Sequence, residues 1–437
     1  MSGTDGVVIT GTEFDGDGIF LGSALQVVLD NNTFRLTDDA SSAISSWGGV
    51  NLSITNNRAA DYDAEGGSLP GSGSGRFFVS QAHPDSNRNL YIADNTTRNF
   101  APLTNLGGAN EGEQILFEEG AFVFKGTPIA QSATTATFSS APPAYGFEHI
   151  GQPVTSREAM IIQGRGTGQT RHITNLSGTT ITVSPGWSVT PDATSVIGIG
   201  AGQFRAVIYH NTFDGKKNYI TYRTASAGLQ MYGNVSDIVF ANNALTNMCQ
   251  GMVSETSIVP NSHELVPAAL FFNLTASNSL VGSRWGLTQS TEFISGENSG
   301  VIGHLGNSYR ANTLANLEQV GIRLSPEHES YAGGDFDQNV FEHNTITNVP
   351  VAISTQFAPR INQNTAVGTI FRNLVLYKNT FDRGAAPLSG SSSVSLKGQT
   401  TSFWGSRNRF TGFEANGTDL PDVDAAAAIV ATPSASR

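Results

Sequence analysis

Three short segments of this 437-residue chain end in charged side chains at matching places: ILFE at Glu118, ITYR at Arg223 and MVSE at Glu255. Two carboxyl groups with a cation between them suit the cleavage of a glycosidic bond. One carboxyl protonates the leaving oxygen, and the other, held ionised by the cation, activates water or attacks directly. The acid must keep its proton near neutral pH, so the two groups need different surroundings. The same three residues also read as an ordinary charge row on neighbouring strands.

What would bring them into line is a repeat. An asparagine recurs ten times at the close of a β-rich run, as in VVLDNNTF, AVIYHNTF, DIVFANNAL, NVFEHNTI, LVLYKNTF and WGSRNRF. The positions are Asn32, Asn57, Asn95, Asn211, Asn243, Asn278, Asn307, Asn344, Asn379 and Asn408; apart from one large gap, they lie 25 to 38 residues apart. Such a period marks a supersecondary unit that buries its apolar face only by stacking on its neighbours. Strand formers alternating with polar residues, then Asn and Gly, make the unit a β-coil. The expectation is an all-β parallel solenoid of about ten coils. The asparagines themselves are scaffold, since Asn tolerates the left-handed backbone conformation and bonds neighbouring backbone.

Each coil carries a second strand, and in a strand alternate residues face the core. Placing Ile44, Phe78, Ile115, Ile220, Met252, Leu287, Ile322, Ile353 and Val394 inward puts the residue three later on the outer face. The resulting column is Trp47, Gln81, Glu118, Arg223, Glu255, Ser290, Ser325, Gln356 and Lys397, with Arg323 beside Ser325. Parallel strands lie about 4.8 Å apart, which separates the two glutamates by roughly 9 to 10 Å. That matches an inverting glycosidase better than a retaining one. Trp47, Gln81, His83, Trp285, Gln289, Arg323, Gln356 and Lys397 are the candidate substrate contacts, because sugar hydroxyls need many polar partners and sugar faces stack on rings.

Along the chain, residues 1–120 read as N-terminal coils and 121–202 as a small all-β insertion. Coils resume over 203–417, and 418–437 is an Ala/Ser/Pro-rich tail. The repeated N-N-x-F/I coils resemble the right-handed parallel β-helix, or pectin-lyase-like, superfamily, over about three-quarters of the chain. The stretch GTGQTRHI through ITVSPGW resembles a small β module found inside some bacterial and phage β-helix proteins. The resemblance implies stacked Asn ladders and carbohydrate as the usual ligand, handled by a hydrolase, lyase, epimerase or tailspike. It brings no catalytic residue with it, since a fold hosts many functions.

Composition narrows the partners. Only 14% of residues are charged, Gly numbers 48 and the formal charge is −12. No basic stripe suggests nucleic acid, and no apolar run is long enough for a membrane helix. The lone Cys249 excludes an internal disulfide and reads as a buried thiol. Scattered histidines lack metal spacing, and His210 and His343 precede repeat asparagines as bend residues. Glu111, Glu113 and Glu119 crowd around Glu118. The acidic loops at Asp61, Asp63 and Glu65 and at Asp335 and Asp337 suit Ca²⁺ chemically but follow no calcium motif, so no cofactor is expected. The opening MSGTDGVVIT has no signal-peptide pattern and begins almost directly in a strand, which suits a piece of a longer, extracellular or secreted polypeptide.

The leading expectation is a glycoside hydrolase acting on a largely neutral polysaccharide along the solenoid flank, as a monomer or homotrimer. Arg223, Arg323 and Lys397 keep a uronate lyase open. A non-catalytic tailspike-like or adhesin-like glycan binder is the third reading.

Overall fold

Short alternating runs broken by Gly, Asn and Pro leave no room for an amphipathic helix. The computed structural model describes residues 3–36, 42–61, 76–82, 85–100, 113–118, 120, 122–143, 157–215, 227–257, 268–292, 302–326, 335–354, 370–386, 394–395, 399–400 and 403–413, and no helix occurs among them. Their strands form two parallel stacks, a 16-stranded and an 18-stranded sheet. In the first, the inward position passes through Ile9, Leu29, Ile54, Ile92, Ile208 and Phe240 on consecutive rungs. In the second it passes through Ile44, Phe78, Ile115, Leu229, Met252, Leu287, Ile322 and Ile353. Both rows bury into one continuous apolar core running the length of the molecule. With the right-handed sense that parallel crossovers adopt, the fold is a right-handed parallel β-helix.

The asparagine ladder is continuous through ten coils. Each side-chain Oδ1 accepts from the backbone N–H and the Nδ2 of the asparagine one coil earlier, at 2.9–3.0 Å for Asn243 and Asn278. The Nδ2 also donates to an inner carbonyl, as Asn243 does to Ile208 at 3.1 Å. Two details differ from the expectation. The left-handed backbone belongs to the residue before each ladder asparagine, including His210 and His343 (φ 56° and 55°). And Asn307 is not in this ladder: Asn278 hands on to Asn312, then Asn344. Asn307 instead joins a second, shorter ladder from Asn273 to Asn339, where another bend of the coil carries asparagine.

The large gap in the period leaves the solenoid unbroken, because Ala93 pairs directly with Tyr209 and Asn95 bonds directly to Asn211. The intervening chain contributes a seven-stranded antiparallel sheet between Phe122 and Gly200. It has its own core around Ile161, Ile173, Ile181, Trp187 and Ile197. A second apolar patch docks Phe122, Met160 and Ile162 on Phe204, Phe271 and Leu305 of the coils. Arg88 of the coils clamps this seam, donating to Glu158 at 3.1 Å and lying 2.8 Å from His172 Nδ1.

Candidate functional site

The 18-stranded sheet presents its second strands side by side, with their outer faces in register. Three residues after each inward anchor stand Trp47, Gln81 and Glu118 on consecutive strands. Tyr232, Glu255, Ser290 and Ser325 continue the row. Gln81 Nε2 donates to Glu118 Oε2 at 3.2 Å, fixing one carboxylate oxygen. Glu118 and Glu255 therefore share a row two rungs apart, about 9.6 Å by the parallel-strand spacing.

The residue between them is Tyr232, not Arg223. Leu229 is the anchor that pairs with both Ile115 and Met252, so the register through Ile220 is corrected. Arg223 itself lies outside the described residues, as do His83, Gln356 and Lys397. The physical cause is a connection. In three successive coils the two strands fuse into one 14-residue strand, Ala244–Ser257, Ser279–Glu292 and Thr313–Pro326. Counting the same short step from Asn211 reaches Ile220, but that coil keeps a separate connection after Thr212–Gly215 and resumes at Ala227–Tyr232. A signal for the correct register was present. Gly228, Gly251, Gly286 and Gly321 each directly precede an anchor, and a Cβ at Gly251 or Gly286 would run into the carbonyl of the next glycine in the stack. ITYR has no such glycine.

Gln289 is also corrected as a substrate contact. It is 0% exposed and points inward, next to outward Ser290, because neighbours in a strand face opposite sides. Its Nε2 reaches Asn339 Oδ1 at 3.3 Å, and its side chain also bonds the Tyr309 hydroxyl, which meets Ser254 at 2.7 Å. Arg323 does lie on the outer face, opposite Thr288, but it is 6% exposed and its guanidinium sits 4.3 Å from the centre of the Trp285 ring. Arg284 lies 4.9 Å from the same ring, and the indole N–H donates to Gln319 at 2.7 Å. Trp285, half-buried, is therefore part of a cation–π cluster. Trp47 is better placed: half-buried at the other end of the row, it meets exposed Phe20 edge-on at 5.2 Å.

One pair near this row escaped the sequence reading. Two residues before their anchors, Arg76 and Glu113 bond at 2.9 Å, with Glu113 fully buried and its Oε1 without a partner. Burial pushes the Glu113 carboxyl from 4.5 up to about 7, against the pull of Arg76; the charge of Glu118 adds a smaller upward push. A buried carboxyl of this kind keeps its proton where an exposed one has lost it. Along the row, exposure falls from half-buried Gln81, Glu118 and Tyr232 to Glu255 at 9%.

No group of three or more His, Cys, Asp or Glu side chains is placed to hold a metal ion among the described residues. Of the two acidic loops weighed for Ca²⁺, Asp63 and Glu65 lie outside them, and Asp337 accepts from Asn373 at 2.8 Å. Burial lifts the Cys249 thiol to about 11, the state of an inert cysteine, and drops buried His304 to about 4, where it stacks on Phe336 as a neutral ring. Among the described residues no helix is long and apolar enough to cross a membrane.

No family model matches the chain, and no curated protein matches it. Among solved structures it is similar to the tailspike gp61 of Pseudomonas phage phi297, at 13% identity over 81% of this chain and 72% of that one, TM-score 0.19. It is similar to a polygalacturonase from Erwinia carotovora ssp. carotovora, at 8% identity over 93% and 97%, TM-score 0.27. A third likeness is to the tailspike gp49 of Pseudomonas phage LKA1, at 11% identity over 87% and 72%, TM-score 0.20. No residue role is carried over at such scores. The fold stands on the chain's own rungs, and it is the right-handed parallel β-helix.

Proposed function

We propose that the outer face carrying Gln81, Glu118, Tyr232 and Glu255 binds a polysaccharide along the solenoid axis and hydrolyses it. The supporting observation is the single row with two carboxylates two rungs apart. Their separation of about 9.6 Å stands at the upper edge of the range that admits a water between acid and base, so the expected outcome is inversion. The more open carboxyl of the pair is half-buried Glu118, whose one oxygen is held by Gln81. Glu255, at 9% exposure, is the second carboxyl of the pair and takes the acid's role in this reading. Trp47 and Phe20 give the apolar faces of sugars a place to stack at the open end. With the net charge at −12 and Arg323 engaged with Trp285, a largely neutral glycan fits this face better than a polyuronate.

A second reading, binding without cleavage, is favoured by one observation, the near closure of Glu255. Incubation with a panel of neutral and uronic polysaccharides separates the readings. New reducing ends without ultraviolet-absorbing unsaturated ends mark the hydrolase. Unsaturated ends mark a lyase, and retention in affinity electrophoresis with neither product marks the binder.

A further inference from the structure

Glu118 closes the strand Ile115–Glu118 just before the inserted sheet begins at Phe122, and Gln203 opens the strand Gln203–Tyr209 just after that sheet ends at Gly200. The two residues meet again inside the solenoid. Gln203 is fully buried, and its Nε2 donates to the Glu118 carbonyl at 3.2 Å and to the Ser80 carbonyl at 2.8 Å. Its Oε1 accepts from the Ser80 hydroxyl at 2.6 Å, which fixes which way round the amide lies. One side chain of the 16-stranded sheet thus ties together the ends of two neighbouring strands of the 18-stranded sheet, those that carry Gln81 and Glu118. On five consecutive rungs this place is filled by Asn87, Gln203, Val235, Leu270 and His304. Asn87 Nδ2 donates to the Gln81 carbonyl at 2.8 Å, and His304 Nε2 lies 2.8 Å from the Ser290 carbonyl. The strand of Glu255 is followed by Leu270, which has no side-chain donor to give.

We infer that Gln203 is the positioning residue of Glu118, an inference that rests on the role proposed for Glu118 in cleavage. On the Tyr232 side, strand pairing stops at Phe117 and Met231, so Glu118 is paired only towards Gln81. Its carbonyl accepts from the Ala82 N–H at 3.1 Å and from Gln203, which occupies both lone pairs. Its carboxylate accepts from Gln81 Nε2 at 3.2 Å, a bond that lasts only while the two strand ends keep their spacing. Gln203 sets that spacing from within, because its amide holds the backbone of both strands at once. Without the amide, the Glu118 backbone is free to drift from Gln81, and the carboxylate with it. A shift of about 1 Å in a reacting group can cost about 100-fold in rate. Gln203 touches no substrate; it acts through Glu118 alone.

Two readouts on the full chain test this. The Gln81 side-chain amide signal in nitrogen-15 NMR, assigned by its loss in Gln81→Leu, reports the bond to Glu118 without a substrate. Reducing-end release reports kcat and KM. Gln203→Met keeps the length of the side chain and removes its donor. It is expected to move the Gln81 signal to that of a free amide and to lower kcat about tenfold or more, with KM within about twofold. Gln289→Leu, an equally buried amide on another coil, should leave both readouts native. If Gln203→Met does not fold, Gln203→Asn replaces it: one methylene shorter, its amide cannot reach both carbonyls, and the same changes are expected. A native Gln81 signal or a native kcat in the folded variant overturns the inference. The same losses in Gln289→Leu would also overturn it, since they would mark a general loosening. A native chain that cleaves no polysaccharide overturns the hydrolase reading, and the Gln81 signal alone then decides whether Gln203 positions Glu118.

Discussion

The second strands of the coils have two faces, and the faces obey different rules. Inward, Phe78, Ile115, Leu229, Met252, Leu287 and Ile322 are one kind of residue repeated, each packed above and below on its own counterpart. Outward, Gln81, Glu118, Tyr232, Glu255 and Ser290 change character at nearly every rung. The stack dictates the inner face, because a misfit there disturbs the coils on either side. The outer face has no such partner, so its sequence is free to carry chemistry. In a solenoid, the repeat describes the scaffold and the departures from it describe the site.

The contrast can be broken most forcefully from inside. Phe240→Ala, in the inward row of the 16-stranded sheet, is expected to cost about 3–5 kcal/mol in chemical denaturation. A cost below about 1 kcal/mol would mean that the stack is looser than described.

Glu113, two residues before the Ile115 anchor, is a fully buried carboxyl beside the outward row. Unfolded, its carboxyl loses its proton near 4.5; folded, it holds it to about 7. The folded state thus binds more protons between these values, and stability falls as pH rises through the window. The loss totals on the order of 3 kcal/mol and levels off above pH 7. Glu113→Gln should flatten that slope in denaturation curves taken at several pH values, and an unchanged slope would remove Glu113 from the account.

Gln289 and Trp47 sharpen the comparison with smaller effects. Gln289→Leu should cost about 1–2 kcal/mol of stability through the lost bonds to Asn339 and Tyr309, with glycan affinity unchanged. Trp47→Ala should do the reverse, weakening glycan affinity by about 1 kcal/mol in affinity electrophoresis with little change in melting.

The same division explains what could be read from the sequence. The fold was legible because the ladder asparagine is needed once per coil and nothing else fills its four-bond role as well. Asn307 misled because two bends of the coil use the same residue type, and composition does not distinguish Asn307 from Asn312. The anchor register was correct for Phe78, Ile115, Met252, Leu287, Ile322 and Ile353, where apolar type and spacing agree. It failed at Ile220 because connection lengths are set by the outer surface and do not repeat. Glu118 and Glu255 came into line through their anchors, whereas the Arg76–Glu113 pair lies before the anchors, outside the column that the anchors register.

The central claim is that Glu118 and Glu255 act as a pair on one glycan-binding row. The direct measurement is reducing-end release by the native chain, Glu118→Gln and Glu255→Gln on the polysaccharide that the native chain cleaves fastest, with thermal unfolding followed in parallel. The account predicts that each variant loses about 100-fold or more in kcat, with a melting transition close to native. Cleavage by both variants at the native rate would contradict it.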